Sequence, residues 1–96
     1  MKKIYIVYCA DWVTISEGAS SEDAATVALE KMMKLKGSDL SISPTMRTLC
    51  LSDIEEDFDL EQYEEYAYCP RVMANAGYHD SAKSFSKIID NQNEEK

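Results

Sequence analysis

The chain has little of what most enzymes and membrane-spanning proteins need. Its 96 residues include one histidine, three cysteines, three glycines and two prolines. It has no Gly-rich phosphate loop, no Gly-x-Ser-x-Gly turn, no His-Glu-x-x-His sequence and no Cys-x-x-Cys pair that positions zinc. Its apolar runs are much shorter than the roughly 20 residues that span a bilayer. The sequence therefore predicts neither an enzyme nor a membrane protein.

The residues suited to nucleophilic or metal chemistry are few and scattered. His79 precedes Asp80 near a predicted helix start, with no nucleophile placed beside it, so we interpret it as a capping or surface residue. Cys9, Cys50 and Cys69 are odd in number and widely spaced, whereas secreted disulfide frameworks favour even numbers in denser arrays. We therefore predict reduced, buried thiols, no metal site and no cofactor.

The length of the chain predicts one domain. This domain covers residues 1–90, and residues 91–96 (Asn-Gln-Asn-Glu-Glu-Lys), which have nothing to bury, are predicted to be a disordered C-terminal tail. The basic start is followed by an apolar run over residues 4–10, but Asp11 interrupts the run and no small-residue cleavage site follows. This start predicts a β-strand rather than a signal peptide, and therefore a cytoplasmic protein.

The first half of the chain predicts two strands and a helix. Residues 3–9 are apolar on both faces, which indicates a strand inside the sheet, and residues 12–17 alternate, which indicates a half-buried strand joined to the first as a hairpin. Ser20 precedes acidic residues typical of a helix start, and Gly37 suits a C-terminal cap, so we predict a helix over 21–36. Its predicted apolar stripe consists of Ala25, Ala28, Leu29, Met32 and Leu35.

The second half predicts two further strands. Residues 47–52 are expected to form the third strand, with Leu49 and Leu51 facing inward. Residues 63–69 are expected to form the fourth strand, with tyrosines on one face and small residues on the other.

Two helices are predicted after the fourth strand. Pro70 suits a first helical position, residues 71–76 can form two turns, and Gly77 can end them. A last helix is expected over residues 80–90. The predicted fold is α+β, in the order ββαββαα, with about four antiparallel strands, one long helix packed on a face and a C-terminal helical hairpin.

Eight carboxylates and no basic residue lie in the stretch that we call the acidic segment (residues 53–65). The whole chain has 18 acids and 10 bases, so the residues outside this segment hold 10 of each and are neutral together. The formal net charge of −8 therefore belongs to the acidic segment, which attracts basic surfaces or cations. Ser52 or Asp53 can cap a short helix that runs through Phe58.

Calcium binding is one alternative for this segment. An EF-hand calcium loop has a related ligand spacing, matched here by Asp53, Glu55, Asp57, Glu61 and Glu64. Phe58 stands where that loop needs glycine, and the required backbone would cost it roughly 1–2 kcal/mol. We therefore predict no metal site.

Nucleic-acid mimicry is a second alternative, and a solvated face with its apolar residues turned to the core is a third. A wholly helical segment would carry one charge per roughly 2.5 Å, between roughly 1.7 Å for duplex DNA and 3.4 Å for one strand. The six tyrosines and Trp12 suggest a base-stacking platform, but a chain with a charge of −8 and no basic cluster repels phosphate. We predict no direct nucleic-acid binding.

Three stretches, Tyr-Ile-Val-Tyr, Trp-Val-Thr-Ile-Ser and a Ser-Ser-Glu-Asp-Ala-Ala helix start, make up 15 of the 96 residues. In these features the chain resembles small acidic proteins of unknown function encoded by tailed bacteriophages. The resemblance implies a viral protein with a host-directed or accessory role in the host cytoplasm, and it carries over no functional residue.

We hypothesise that the protein is not an enzyme and that it binds a basic surface of another protein. The acidic segment supplies charge, with Phe58 and Tyr63 as apolar anchors. The candidate partner-binding residues are Asp53, Glu55, Glu56, Asp57, Phe58, Asp59, Glu61, Tyr63, Glu64 and Glu65. The alternative is a structural or assembly subunit, virion-associated or homo-oligomeric, that associates through sheet edges.

Overall fold

In the computed structural model, which describes residues 2–51 and 64–94, one antiparallel sheet carries three helices. The strands are β1 (Lys3–Cys9), β2 (Trp12–Gly18), β3 (Thr45–Cys50) and β4 (Glu64–Tyr68). The helices are α1 (Ser21–Lys36), α2 (Cys69–Asn75) and α3 (His79–Glu94), and a short 3₁₀ turn (Gly37–Asp39) follows α1. The predicted α+β class, the order ββαββαα and the C-terminal helical hairpin are confirmed.

The strands lie side by side in the order β2-β1-β3-β4. This order places β1 inside the sheet, as its apolar character on both faces predicted, and leaves β2 and β4 at the two edges. The register aligns Ile6 of β1 with Ile15 of β2 and Leu49 of β3.

The hairpin between β1 and β2 turns through two residues, Ala10 and Asp11, which follow the closing pair Cys9 and Trp12. Ala10 has a φ of 49°, in the left-handed region that favours glycine. Two-residue hairpin turns need this region because its twist matches that of the strands. Alanine therefore forms this turn under backbone strain.

Replacement of Ala10 by glycine is expected to raise the free energy of unfolding by about 0.5–1 kcal/mol, because relief of about 1–2 kcal/mol of strain exceeds the added entropy of the unfolded chain. Urea denaturation measures the change. Asp11→Gly is the matched control and should destabilise the protein, since Asp11 does not have a positive φ. A destabilised Ala10→Gly variant would contradict the turn geometry.

The predicted orientation of β3 is wrong. Met46, Thr48 and Cys50 face the helices, whereas Leu49 is buried on the opposite face and Leu51 is 36% exposed. Side chains on both faces of this strand are buried, so an apolar residue in it need not face the helices. The hydroxyl of Thr48 donates to a backbone carbonyl of β4 at 3.2 Å, which makes its burial tolerable.

Helix α1 has the predicted bounds because both ends are capped as the sequence indicated. The Ser20 hydroxyl accepts a hydrogen bond from the backbone N–H of Asp23 at 3.2 Å, and Gly37 closes the helix with a φ of 56°. Leu35, predicted to be buried, is 70% exposed, since it lies in the last turn of the helix, beyond its last buried residue, Met32. The buried residues of α1 are Ala24, Ala25, Ala28, Leu29 and Met32.

The start of α1 lies very close to the end of β2. The Ser16 hydroxyl donates to the backbone carbonyl of Ala24, with 2.5 Å between the oxygens. A Cβ atom on Gly18 would lie 2.5 Å from the backbone nitrogen of Ala24. Glycine in β2 and alanine in α1 therefore allow the backbones of these two elements to lie in contact.

The two C-terminal helices complete the core. Pro70 lies in the first turn of α2, and Gly77, with a φ of 95°, separates α2 from α3. Helix α3 continues through Glu94, beyond the predicted end at residue 90. Their core residues include Val72, Met73 and Ala82. Among residues 2–51 and 64–94, none of the helices is both long enough and apolar enough to span a membrane.

Candidate functional site

The acidic segment follows β3 and ends in β4, and these two strands are antiparallel, so Cys50 at the end of β3 and Glu64 at the start of β4 lie at the same end of the sheet. Its last two residues, Glu64 and Glu65, belong to β4. The predicted short helix and most of the predicted binding residues lie outside the described residues; these are Asp53, Glu55, Glu56, Asp57, Phe58, Asp59, Glu61 and Tyr63. The EF-hand spacing also falls there, except for its final position, Glu64.

Glu64 and Glu65 point to opposite faces of the sheet. The carboxylate of Glu64 lies 3.5 Å from Nε of Arg47 and also accepts a hydrogen bond from the hydroxyl of Tyr66 at 3.5 Å. Its side chain is 19% exposed. Glu65 is paired with Thr48 and is exposed to solvent. Glu64 therefore binds the side chains of Arg47 and Tyr66, whereas Glu65 can contact a partner from the edge of the sheet.

The positive charge of Arg47 is balanced locally. Its guanidinium carbon lies 4.7 Å from the centre of the Tyr8 ring, in a cation–π contact, and Glu64 holds the other side of the group. Arg47 therefore does not offset the charge of the remaining carboxylates.

The sheet surface opposite the helices is rich in exposed apolar side chains. All three helices contribute to the core on the other surface. On this surface Ile4 is 44% exposed, Val13 57%, Ile15 58% and Tyr66 66%. We call this surface the open face and define it by Ile4, Ile6, Tyr8, Val13, Ile15, Glu17, Arg47, Leu49, Glu64 and Tyr66. Exposed apolar side chains that lie together are typical of binding surfaces.

The three thiols are free and buried, as predicted. Sγ of Cys9 accepts a hydrogen bond from the backbone N–H of Ser43 at 3.4 Å and lies 3.5 Å from the Ser43 hydroxyl. The hydrogen bond shared with the Cys69 thiol lowers the pKa of Cys9, the Ser43 donors act in the same direction, and burial opposes them. The same pairing raises the pKa of Cys69. Cys9 is therefore the more acidic thiol of this pair.

The described residues do not assemble a metal site. In residues 2–51 and 64–94, no group of three or more histidine, cysteine, aspartate or glutamate side chains is arranged to hold an ion. His79 is exposed at the start of α3. The Cys9–Cys69 pair thus has two sulfur atoms and no third ligand within this part of the chain.

The chain has no significant match to a protein-family model, to a curated protein or to a solved structure. The fold and the surface define it as a two-layer α+β protein with an apolar open face next to a highly charged connection.

Proposed function

We propose that this protein is a small docking module that binds a basic surface of a partner protein. The acidic segment provides the charge, with Phe58 and Tyr63 as apolar anchors, and the adjoining part of the open face extends the contact. One observation carries the proposal: the entire formal net charge of −8 is concentrated in one connection on an otherwise neutral scaffold.

The position of this connection supports a mixed polar and apolar contact. Tyr5 and Cys50 are paired, so their neighbours Ile4 and Leu51 lie at the end of the sheet where the acidic segment begins. Ile4 is 44% exposed and Leu51 is 36% exposed. Protein interfaces combine an apolar centre, which supplies most of the affinity, with charged groups that steer the approach. Carboxylates beside exposed aliphatic side chains favour a partner that is basic and partly apolar.

The sign and arrangement of the charge favour a protein partner over a nucleic acid. Arg47 is already engaged by Tyr8 and Glu64, and the lysines of α1 stand on the other side of the sheet from the open face. A phosphate backbone would therefore meet the negative field of the acidic segment.

Charge reversal within the acidic segment is expected to weaken partner binding at least about fivefold, because four ion pairs with the partner contribute about 1–4 kcal/mol together. The variant is Glu55, Glu56, Asp57 and Asp59→Lys. The matched control is Asp11, Glu30, Asp39 and Asp90→Lys. Each reversal adds two charges, so both variants have a formal net charge of zero. The partner is captured from native cells, purified and titrated by calorimetry at several salt concentrations.

The control variant should bind within about threefold of the wild type, and wild-type affinity should fall steeply with salt. Equal loss in both variants would show that only net charge matters and would overturn the proposed site. Full affinity in the segment variant would overturn the proposed function.

A further inference from the structure

The two edges of the sheet differ in how well they are protected against pairing with another strand. The β4 edge has five residues and begins with Glu64 and Glu65. The β2 edge has seven residues, Trp-Val-Thr-Ile-Ser-Glu-Gly, with one charged residue, Glu17, near its end and no proline. An edge strand presents unpaired backbone groups, and proteins usually protect such edges with charges, prolines or short length. Within the described ranges, β2 pairs on one side only, with β1.

Helix α1 lies over this edge with an apolar flank. Its Lys31 ammonium donates to the hydroxyl of Thr14 in β2 at 3.2 Å. Val27 and Leu35, one helical turn before and after Lys31, are 46% and 70% exposed. They line a shallow depression of about 420 Å³ together with Glu30, Lys31 and Lys34. We call this side of α1 the β2 flank.

The opposite flank of α1 is occupied by α2. The Glu22 carboxylate accepts a hydrogen bond from the Asn75 amide at 2.7 Å and lies 3.6 Å from the Arg71 guanidinium. One flank of α1 is thus packed against the protein's own chain, and the β2 flank is presented to solvent beside an open strand edge.

We propose that the β2 edge and the β2 flank of α1 form the interface with a second copy of this chain. A two-fold axis perpendicular to the sheet would place the two β2 strands antiparallel and keep both α1 helices on the same side. The backbone groups of the two edges would then satisfy each other, and Val13 and Ile15 would lie beside their counterparts. Such an interface is self-complementary, which a symmetric dimer requires.

Charge is compatible with self-association at this edge. The described carboxylates of the acidic segment, Glu64 and Glu65, belong to β4, which lies three strand spacings from β2, about 14 Å. This exceeds the Debye length of about 8 Å at physiological salt, so these two carboxylates would be screened from those of the second copy. On the β2 flank, Glu30 stands beside Lys31 and Lys34, so each copy presents both signs of charge to the other. The inference goes beyond the proposed function, because such a dimer leaves the acidic segment available.

Light scattering and sedimentation velocity over about 1 µM to 1 mM protein test the proposal. The wild type should form a dimer that persists at about 1 M salt, because backbone pairing and apolar contacts are not screened. Ile15→Lys and Leu35→Lys should each raise the dimer dissociation constant at least about tenfold. Ile88→Lys on α3 is the matched control, since Ile88 is 54% exposed and Ile15 58%, and it should leave the constant within about threefold.

Leu35→Lys keeps the test decisive if Ile15→Lys fails to fold, because Leu35 is 70% exposed and does not belong to the core. A wild type that is monomeric at every concentration would overturn the proposal. A dimer broken by Ile4→Lys and unaffected by Leu35→Lys would also overturn it, since association would then use the open face. Partner binding that fails while the dimer remains would overturn only the proposed function.

Discussion

Replacement of Trp12 by alanine is expected to lower the free energy of unfolding by about 3–5 kcal/mol, a large share of the roughly 5–15 kcal/mol typical of a small domain. The Trp12 side chain is 6% exposed, at the start of β2 beside the hairpin turn. Its indole N–H donates to the backbone carbonyl of Ser41 at 2.7 Å. Alanine would leave a cavity and remove the hydrogen bond that holds the loop between α1 and β3.

The measurement is urea denaturation followed by far-ultraviolet circular dichroism, because Trp12 is the only tryptophan and its removal abolishes the tryptophan fluorescence. Trp12→Phe is the control. It keeps most of the buried ring but loses the N–H donor, so it should cost about 1–3 kcal/mol. If alanine cost no more than phenylalanine, the packing role of the indole would be contradicted.

Local chemistry predicted where α1 begins and ends, and that α2 lies between Pro70 and Gly77. Ser20 and Gly37 cap α1 as the sequence indicated, and Pro70 and Gly77 stand at the ends of α2. These signals depend on the backbone of a few neighbouring residues, so they can be recognised without knowledge of the tertiary structure.

Which side chains of each strand point toward the helices could not be predicted in the same way. Alternation in β2 separates Val13 and Ile15 from Trp12 and Ser16, but it does not say which set faces the helices. The structure buries the second set, because Ser16 bonds to α1 and Trp12 to the loop after it. The open face is therefore a consequence of tertiary packing.

The candidate site was likewise predictable from the sequence only in part. The acidic segment was evident from charge alone, and its role in binding stays a prediction. The pairing of Arg47 with Tyr8 and Glu64 depends on the β1–β3–β4 register, and the contact between Cys9 and Cys69 depends on the loop that contains Ser43. Residues so far apart in sequence give no local signal of their proximity.

The unprotected β2 edge could also be predicted from the sequence only in part. The sequence shows that β2 lacks proline and lysine, but only the strand order shows that it is an edge. A central strand of the same composition would need no protection, since both of its sides would be paired.

Replacement of Gly18 by alanine is expected to lower the free energy of unfolding by about 3 kcal/mol, at the upper end of the range for overpacked sites. The added Cβ would lie 2.5 Å from the nitrogen and 2.9 Å from the Cα of Ala24, and 3.0 Å from the carbonyl carbon of Asp23. All three atoms belong to the backbone, so no side chain can rotate away. Helix α1 would have to move from β2 and stretch the hydrogen bond between Ser16 and Ala24. Urea denaturation gives the stability, and hydrogen exchange in the first turn of α1 should report the displacement.

Gly37→Ala separates this steric cost from the cost of an unfavourable backbone. Gly37 has a φ of 56° and open space around the added Cβ, so alanine there should cost about 1–2 kcal/mol, without a change in exchange at the start of α1. Gly18 has no positive φ, so its whole penalty comes from contact with α1. A Gly18→Ala variant that is more stable than Gly37→Ala would mean that β2 and α1 are not in backbone contact. In that case the buried position of Ser16, and with it the choice of which β2 residues form the open face, would also be wrong.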